Sequence, residues 1–219
     1  MADIISALGV LIAAVTFWAG VSAWKREFVG KRRIELAETV LALFYEAEDA
    51  IREIRNPFSY VGEGSTRKRS DGEREEESKL LDQAFVVFER YQRHEKLFSQ
   101  LKSMRYQCMA AFGAKASKPF DEVSDVVRRI FASARSLGTH YWPRQGRVQM
   151  TEEEFEKHLN AMHKHEAVFW FVGNEEDEIS PRVKEAVESM EAITQEAVSA
   201  KIGFLKSALE WAKKRVRFS

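Results

Sequence analysis

Histidine titrates near neutral pH and is the commonest side-chain ligand for transition metals. Three of the chain's five histidines, His158, His163 and His165, fall close together beside Glu166. Imidazoles next to a carboxylate suit zinc binding or proton transfer, so these four residues are the metal-site candidates. Spacing limits what they can do. On a helix His158 and His165 share a face with Glu154 and Met162, whereas His163 points away. The first and last are about 10.5 Å apart along the axis, too far to hold one ion unless another element, for instance one carrying His140, closes in. There is no HExxH and no Glu-x-x-His of the di-iron kind, so histidines resting on a helix face are the default reading.

Other chemistry is thinner. The loop GTHYWPRQGRV, residues 138–148, combines His140, Tyr141, Trp142, Arg144 and Arg147. Aromatic rings beside arginines can stack on bases or bind phosphate, but a Tyr-Trp pair at a helix end more often plugs a bundle. No phosphate-binding glycine loop, nucleophile elbow or Cys/His dyad is present. The acidic run Glu175–Glu178 lacks the alternating ligands and central glycine of a calcium loop and reads as solvated. Cys108 lies in an apolar stripe, where a small buried hydrophobe is expected. No catalytic residue, cofactor or small-molecule substrate is indicated, and the enzyme reading leans towards no.

Helices must position all of this. Four prolines and eleven glycines in 219 residues, with abundant Ala, Glu, Lys, Arg and Leu, favour an all-α fold. Apolar a/d spacing at Ile34, Ala37, Leu41, Phe44 and Ile51 predicts a helix ended by Asn56–Pro57. Residues 62–78, GEGSTRKRSDGEREEES, are nearly free of apolar side chains and read as a flexible linker. A single long helix is expected over Leu80–Phe112, and another from about Pro119 to Gly138. Thr151 and Glu154 form a capping box, and Ser180–Pro181 starts a last helix, with Ser180 as its N-cap. Near its end, residues 201–219 make a basic amphipathic stripe suited either to an anionic leaflet or to the bundle core.

The N-terminus carries the clearest signal. Ile4 to Trp24 contains no charged residue, and 21 helical residues rise about 31 Å, matching a bilayer's hydrocarbon layer. A signal peptide would need a basic segment ahead of the apolar run, and here only Met1, Ala2 and Asp3 precede it. Lys25, Arg26, Lys31, Arg32 and Arg33 follow as a basic collar, which places the N-terminus outside and the bulk of the chain in the cytoplasm. The lone cysteine agrees with a reducing compartment. Small residues at Ser6, Gly9, Ala13, Thr16, Gly20 and Ala23 continue a four-three spacing that suits packing of one membrane helix on another.

The sequence therefore predicts one transmembrane helix and collar over residues 1–33, and a cytoplasmic helical bundle with long coiled-coil-like helices over 34–219. Its expected place is the inner (cytoplasmic) membrane. Its expected work is interaction or regulation, through self-association or docking onto a membrane-protein complex. Balanced charge, 34 basic against 34 acidic residues, does not favour nucleic acid. The alternatives are a membrane-tethered enzyme or metal sensor built on the His/Glu cluster, and a stress or toxin-like effector whose spans form a pore lined by Ser6 and Thr16.

Overall fold

A computed structural model describes residues 2–171, 173 and 177–195, with side chains given at 9 and from 12 onward in the first of these stretches. All regular structure among these residues is helical, as the composition implies. The helices are α1 (Ala2–Ile54), α2 (Glu75–Arg93), α3 (Glu95–Phe112), α4 (Lys118–Ser136), the one-turn α5 (Trp142–Arg144) and α6 (Glu152–Phe169). A seventh, α7, covers residues 179–195. The chain divides into two compact units, residues 1–39 with 193–219, and residues 40–192. The basic stripe expected over 201–219 lies outside the described residues.

In the first unit, α1 leaves its apolar side chains in the open. Ile12, Val15, Phe17, Trp18, Val21 and Trp24 are all exposed, Phe17 and Trp18 by 73% and 75%. Among the described residues no helix is long and apolar enough to cross a membrane. The apolar stretch whose side chains are described, Ile12 to Trp24, is thirteen residues and rises about 20 Å, against a hydrocarbon layer of about 30 Å. The remainder of the expected span, Ile4–Leu8 with Val10 and Leu11, is helical but its side chains lie outside those described.

In the second unit, Val40, Phe44, Ala47, Ile51 and Ile54 recur every three or four residues along α1 and are buried, one stripe facing one core. Phe44 meets Phe120 of α4 edge to face at 5.0 Å. Helix α4 packs on α2, α3 and α6, burying Val123, Val126, Val127, Ile130 and Ala134. Burying a valine- or leucine-sized side chain contributes about 1.5–3 kcal/mol, so this helix is central to the fold. Helix α7 runs antiparallel to the end of α1: Arg55 bonds Ser180 and Tyr45 bonds Glu191.

Four expectations change. The single helix over Leu80–Phe112 breaks at His94, whose φ of −105° and ψ of 10° leave the helical region. No proline or glycine marks that break; Tyr91 of α2 stacks instead on Phe98 of α3 at 4.8 Å. Residues 62–78, read as a flexible linker, carry many polar ties, and α2 already begins at Glu75. Arg67 bridges Glu73 and Asp82 at 2.6 and 3.0 Å, and Gly64 N–H donates to Glu89. A linker without apolar residues is thus anchored by charge. Asp177, assigned to a solvated acidic run, is buried; Glu175 and Glu176 lie outside the described residues. Finally, Asp177 Oδ1 accepts from the backbone N–H groups of Ile179 and Ser180, so it is Asp177 rather than Ser180 that caps α7.

Candidate functional site

Helix α4 does not simply stop. Leu137–Tyr141 forms a π turn, in which Trp142 N–H reaches back five residues to Leu137 O. Pro143 supplies the physical reason, because it lacks the N–H that would continue an α ladder and its ring crowds the carbonyl four residues earlier. The widened turn lies tight on α2, where a Cβ added to Gly138 would stand 2.6 Å from Ala84 Cβ. π turns are frequent at functional sites, and this one delivers His140 and Tyr141 to the histidine face of α6.

The Tyr141 ring lies against two imidazoles, His158 at 5.5 Å and His165 at 5.0 Å between centroids, with His140 edge-on at 4.9 Å. His165 Nδ1 is 3.1 Å from Ser133 Oγ on α4, and burial pushes the His165 pKa below its ordinary value. His158 is 8% exposed, and its Nε2 has no hydrogen-bond partner among the described residues. A buried polar atom left so costs about 1–3 kcal/mol. His163 is exposed and stands apart from the group. Glu166 is engaged elsewhere, accepting from Trp142 Nε1 at 2.9 Å.

The cluster therefore gathers His140, His158 and His165 around one tyrosine and leaves out His163 and Glu166. His158 and His165 both lie against the Tyr141 ring, and among the described residues no three His, Cys, Asp or Glu side chains group to hold a metal ion. Ser133 with His165 forms the first two members of a nucleophile–base–orienter arrangement. Ser133 is only 5% exposed, however, which leaves its hydroxyl little access to a substrate. Trp142 is buried with its ring edge-on to Phe169 at 5.6 Å, which fits the plug reading of the Tyr-Trp pair. Cys108 is fully buried and burial raises its thiol pKa to about 11, which keeps it protonated and unreactive.

The strongest polar constellations are ones the sequence did not announce. Arg55, with no exposure, donates from Nη2 to Asp177 at 2.8 Å and to the carbonyls of Ala167 and Trp170, and from Nε to Val168 O. It thereby caps the C-terminus of α6 while holding the residue that caps α7. Burial works to raise the Asp177 pKa, but the bonds from Arg55 and Ser180 outweigh it and hold the carboxyl below its ordinary value. Arg90 repeats the device at the end of α1, donating to the carbonyls of Ile54, Asn56 and Phe58 and pairing with Glu63 at 2.8 Å. These sites join helix ends; they do not present reactive groups. The only sequence signal was a cation near a helix C-terminus, too common to single out either arginine.

On α1, a Cβ added at Gly9 or Gly20 meets nothing within 4 Å, and Ala13, Thr16 and Ala23 are exposed. Thr16 spends its hydroxyl on its own helix, at Ile12 O and Ala13 O. Ser6 lies outside the described side chains. Of the collar, Lys25, Arg26, Lys31 and Arg32 are exposed and Arg33 is half-buried. Trp24 and Phe28 stack at 5.9 Å beside it. No protein family, curated protein or solved structure matches the chain.

Proposed function

We propose that this chain is a membrane-anchored helical interaction protein. In this reading residues 4–24 cross the inner membrane once with the N-terminus outside, and the second unit works in the cytoplasm by docking with a further copy or a membrane-protein complex. One observation carries the proposal: the first unit exposes Ile12, Val15, Phe17, Trp18, Val21 and Trp24, which at about 100° per residue cover roughly two-thirds of the helix surface, while the exposed small residues Ala13, Thr16, Gly20 and Ala23 fill the rest. An apolar helix bare on every side needs a non-aqueous environment. The basic collar and the aromatic pair Trp24–Phe28 follow where an interface would lie.

Alkaline carbonate extraction of membranes tests the anchor. The full chain is expected in the pellet and the chain lacking residues 2–24 in the supernatant; a full chain that is extracted would refute it. Cross-linking in intact membranes tests the docking. Adducts larger than the monomer should be lost in Gly9→Leu with Gly20→Leu, and an unchanged pattern removes the small-residue stripe as the interface.

A further inference from the structure

Just beyond the end of α1, three of the four residues 58–61 stand out of the second unit: Phe58, Tyr60 and Val61 are 82%, 83% and 108% exposed. The other large apolar side chains exposed on this unit among the described residues, Tyr45, Tyr106, Val148 and Phe155, occur singly and need no explanation. These three form a patch, and the backbone under it is pinned. Pro57 fixes its own φ, and Asn56 Oδ1 accepts from Phe58 N–H at 3.0 Å. From beneath, the buried Arg90 donates to the carbonyls of Asn56 and Phe58 at 2.5 and 2.7 Å. Its partner Glu63, whose side chain is 6% exposed, accepts from Tyr60 N–H, and Glu63 N–H donates to Tyr60 O. The turn thus holds its rings outward, and the ordering that a binding loop normally costs on association is already made.

Beside this tip lies an open groove of about 580 Å³, walled by Pro57, Phe58 and Phe171 and rimmed by Asp49, Arg52 and Glu53. Its lining can be reached: each of these residues is exposed except Phe171, which is half-buried. Projecting rings next to an apolar groove are what a two-fold contact needs, since each copy then presents both halves of the joint. The rim carries both signs in the open, with the side chains of Arg52 and Asp49 55% and 78% exposed, so two copies can face each other without like charges meeting. A lipid surface fits less well, because an anionic leaflet attracts basic clusters and Asp49 and Glu53 outnumber Arg52 here. Area points the same way. At about 150–250 Å² for each aromatic side chain and somewhat less for valine, the three offer about 450 Å² per copy. Two copies with their rims thus cover about 1,000 Å², the least that a specific contact needs and small enough for it to be transient.

We propose that this tip and groove form a two-fold contact between copies of the chain, with Tyr60 and Val61 of each copy over the Phe58–Phe171 groove of the other. This rests on the docking part of the proposed function and not on the anchor. The test is disulfide cross-linking of the full chain in membranes, where the buried Cys108 stays silent. On oxidation with copper phenanthroline, Val61→Cys should give a dimer of twice the chain's mass, and Tyr106→Cys, exposed on α3, should not. Adding Phe58→Glu and Tyr60→Glu to Val61→Cys should slow its cross-linking about ten-fold, the effect of losing aromatic anchors. Tyr60→Glu alone should act in the same direction and keeps the test decisive if the double change disturbs the turn. Equal cross-linking at Tyr106→Cys, or a rate that the glutamates leave unchanged, would overturn the proposal. So would a Val61→Cys adduct with a different protein, or a bimane on Val61→Cys that reports an apolar setting however far the chain is diluted in lipid. If Val61→Cys stays monomeric while adducts that depend on Gly9 and Gly20 persist, this contact fails and the docking reading stands; absence of both removes docking as well.

Discussion

Phe17, Trp18 and Trp24 on α1 are each more than two-thirds exposed, whereas Arg55, Arg90 and Asp177 in the second unit are almost wholly buried. The two regions invert the usual partition of side chains between water and core, and for different reasons. In the second unit the inversion is compensated atom by atom: Arg55 and Arg90 satisfy backbone carbonyls that helix ends leave over, and their carboxylate partners are in place. In the first unit the Trp24–Phe28 stack is the one ring contact among the described residues, and Phe17 and Trp18 stay open. One region is complete in itself, and the other leaves its apolar rings uncovered.

The comparison breaks first at Arg55. Arg55→Ala leaves Asp177 buried without its partner and strips three carbonyls, so unfolding stability should fall by about 3–5 kcal/mol, read as a large drop in the denaturation midpoint. Arg55→Lys should recover little, because an ammonium cannot fork to the same acceptors. A near-neutral Arg55→Ala would mean that the joint does not hold the helix ends. Gly64→Ala comes next. Its φ of 86° disfavours any side chain and the new Cβ would stand 2.0 Å from Asp82 O. The expected loss is roughly 2–3 kcal/mol, and a smaller one would show that the 62–78 segment yields easily.

Acid acts on the histidine cluster. The folded pKa of His165 lies below its unfolded value, so the unfolded state takes up the proton first as pH falls. Its contribution is fully present above about pH 6.5 and is lost as pH drops through that value towards the folded pKa. Melting temperature should decline over this window, and His165→Gln should flatten the decline; an unchanged slope would show that the imidazole stays accessible to protons. The smallest effect belongs to Thr151→Ala, which removes a capping box present in full and should cost about 1 kcal/mol by chemical denaturation.

Periodicity and caps made the helical class legible, down to the Thr151–Glu154 box and the stop at Asn56–Pro57. What stayed hidden depended on partners distant in sequence. The break at His94 needs no proline because Tyr91 and Phe98 close over it. Asp177 looked solvated because its partner is Arg55, on another helix. Ser133 was one serine among many on an α4 face until His165 was set against it. Spacing along α6 did separate His163 from His158 and His165, but no local pattern foretold a tyrosine packed against both.

The central claim is that residues 4–24 cross a membrane with the second unit inside. Cysteine labelling tests it directly, because the native Cys108 is buried and its pKa is raised to about 11, leaving it silent towards maleimide. In intact spheroplasts a membrane-impermeant maleimide should label Ala2→Cys at once and Tyr60→Cys, at an exposed site, only after lysis. Labelling of Tyr60→Cys before lysis, or of neither site until lysis, would contradict it.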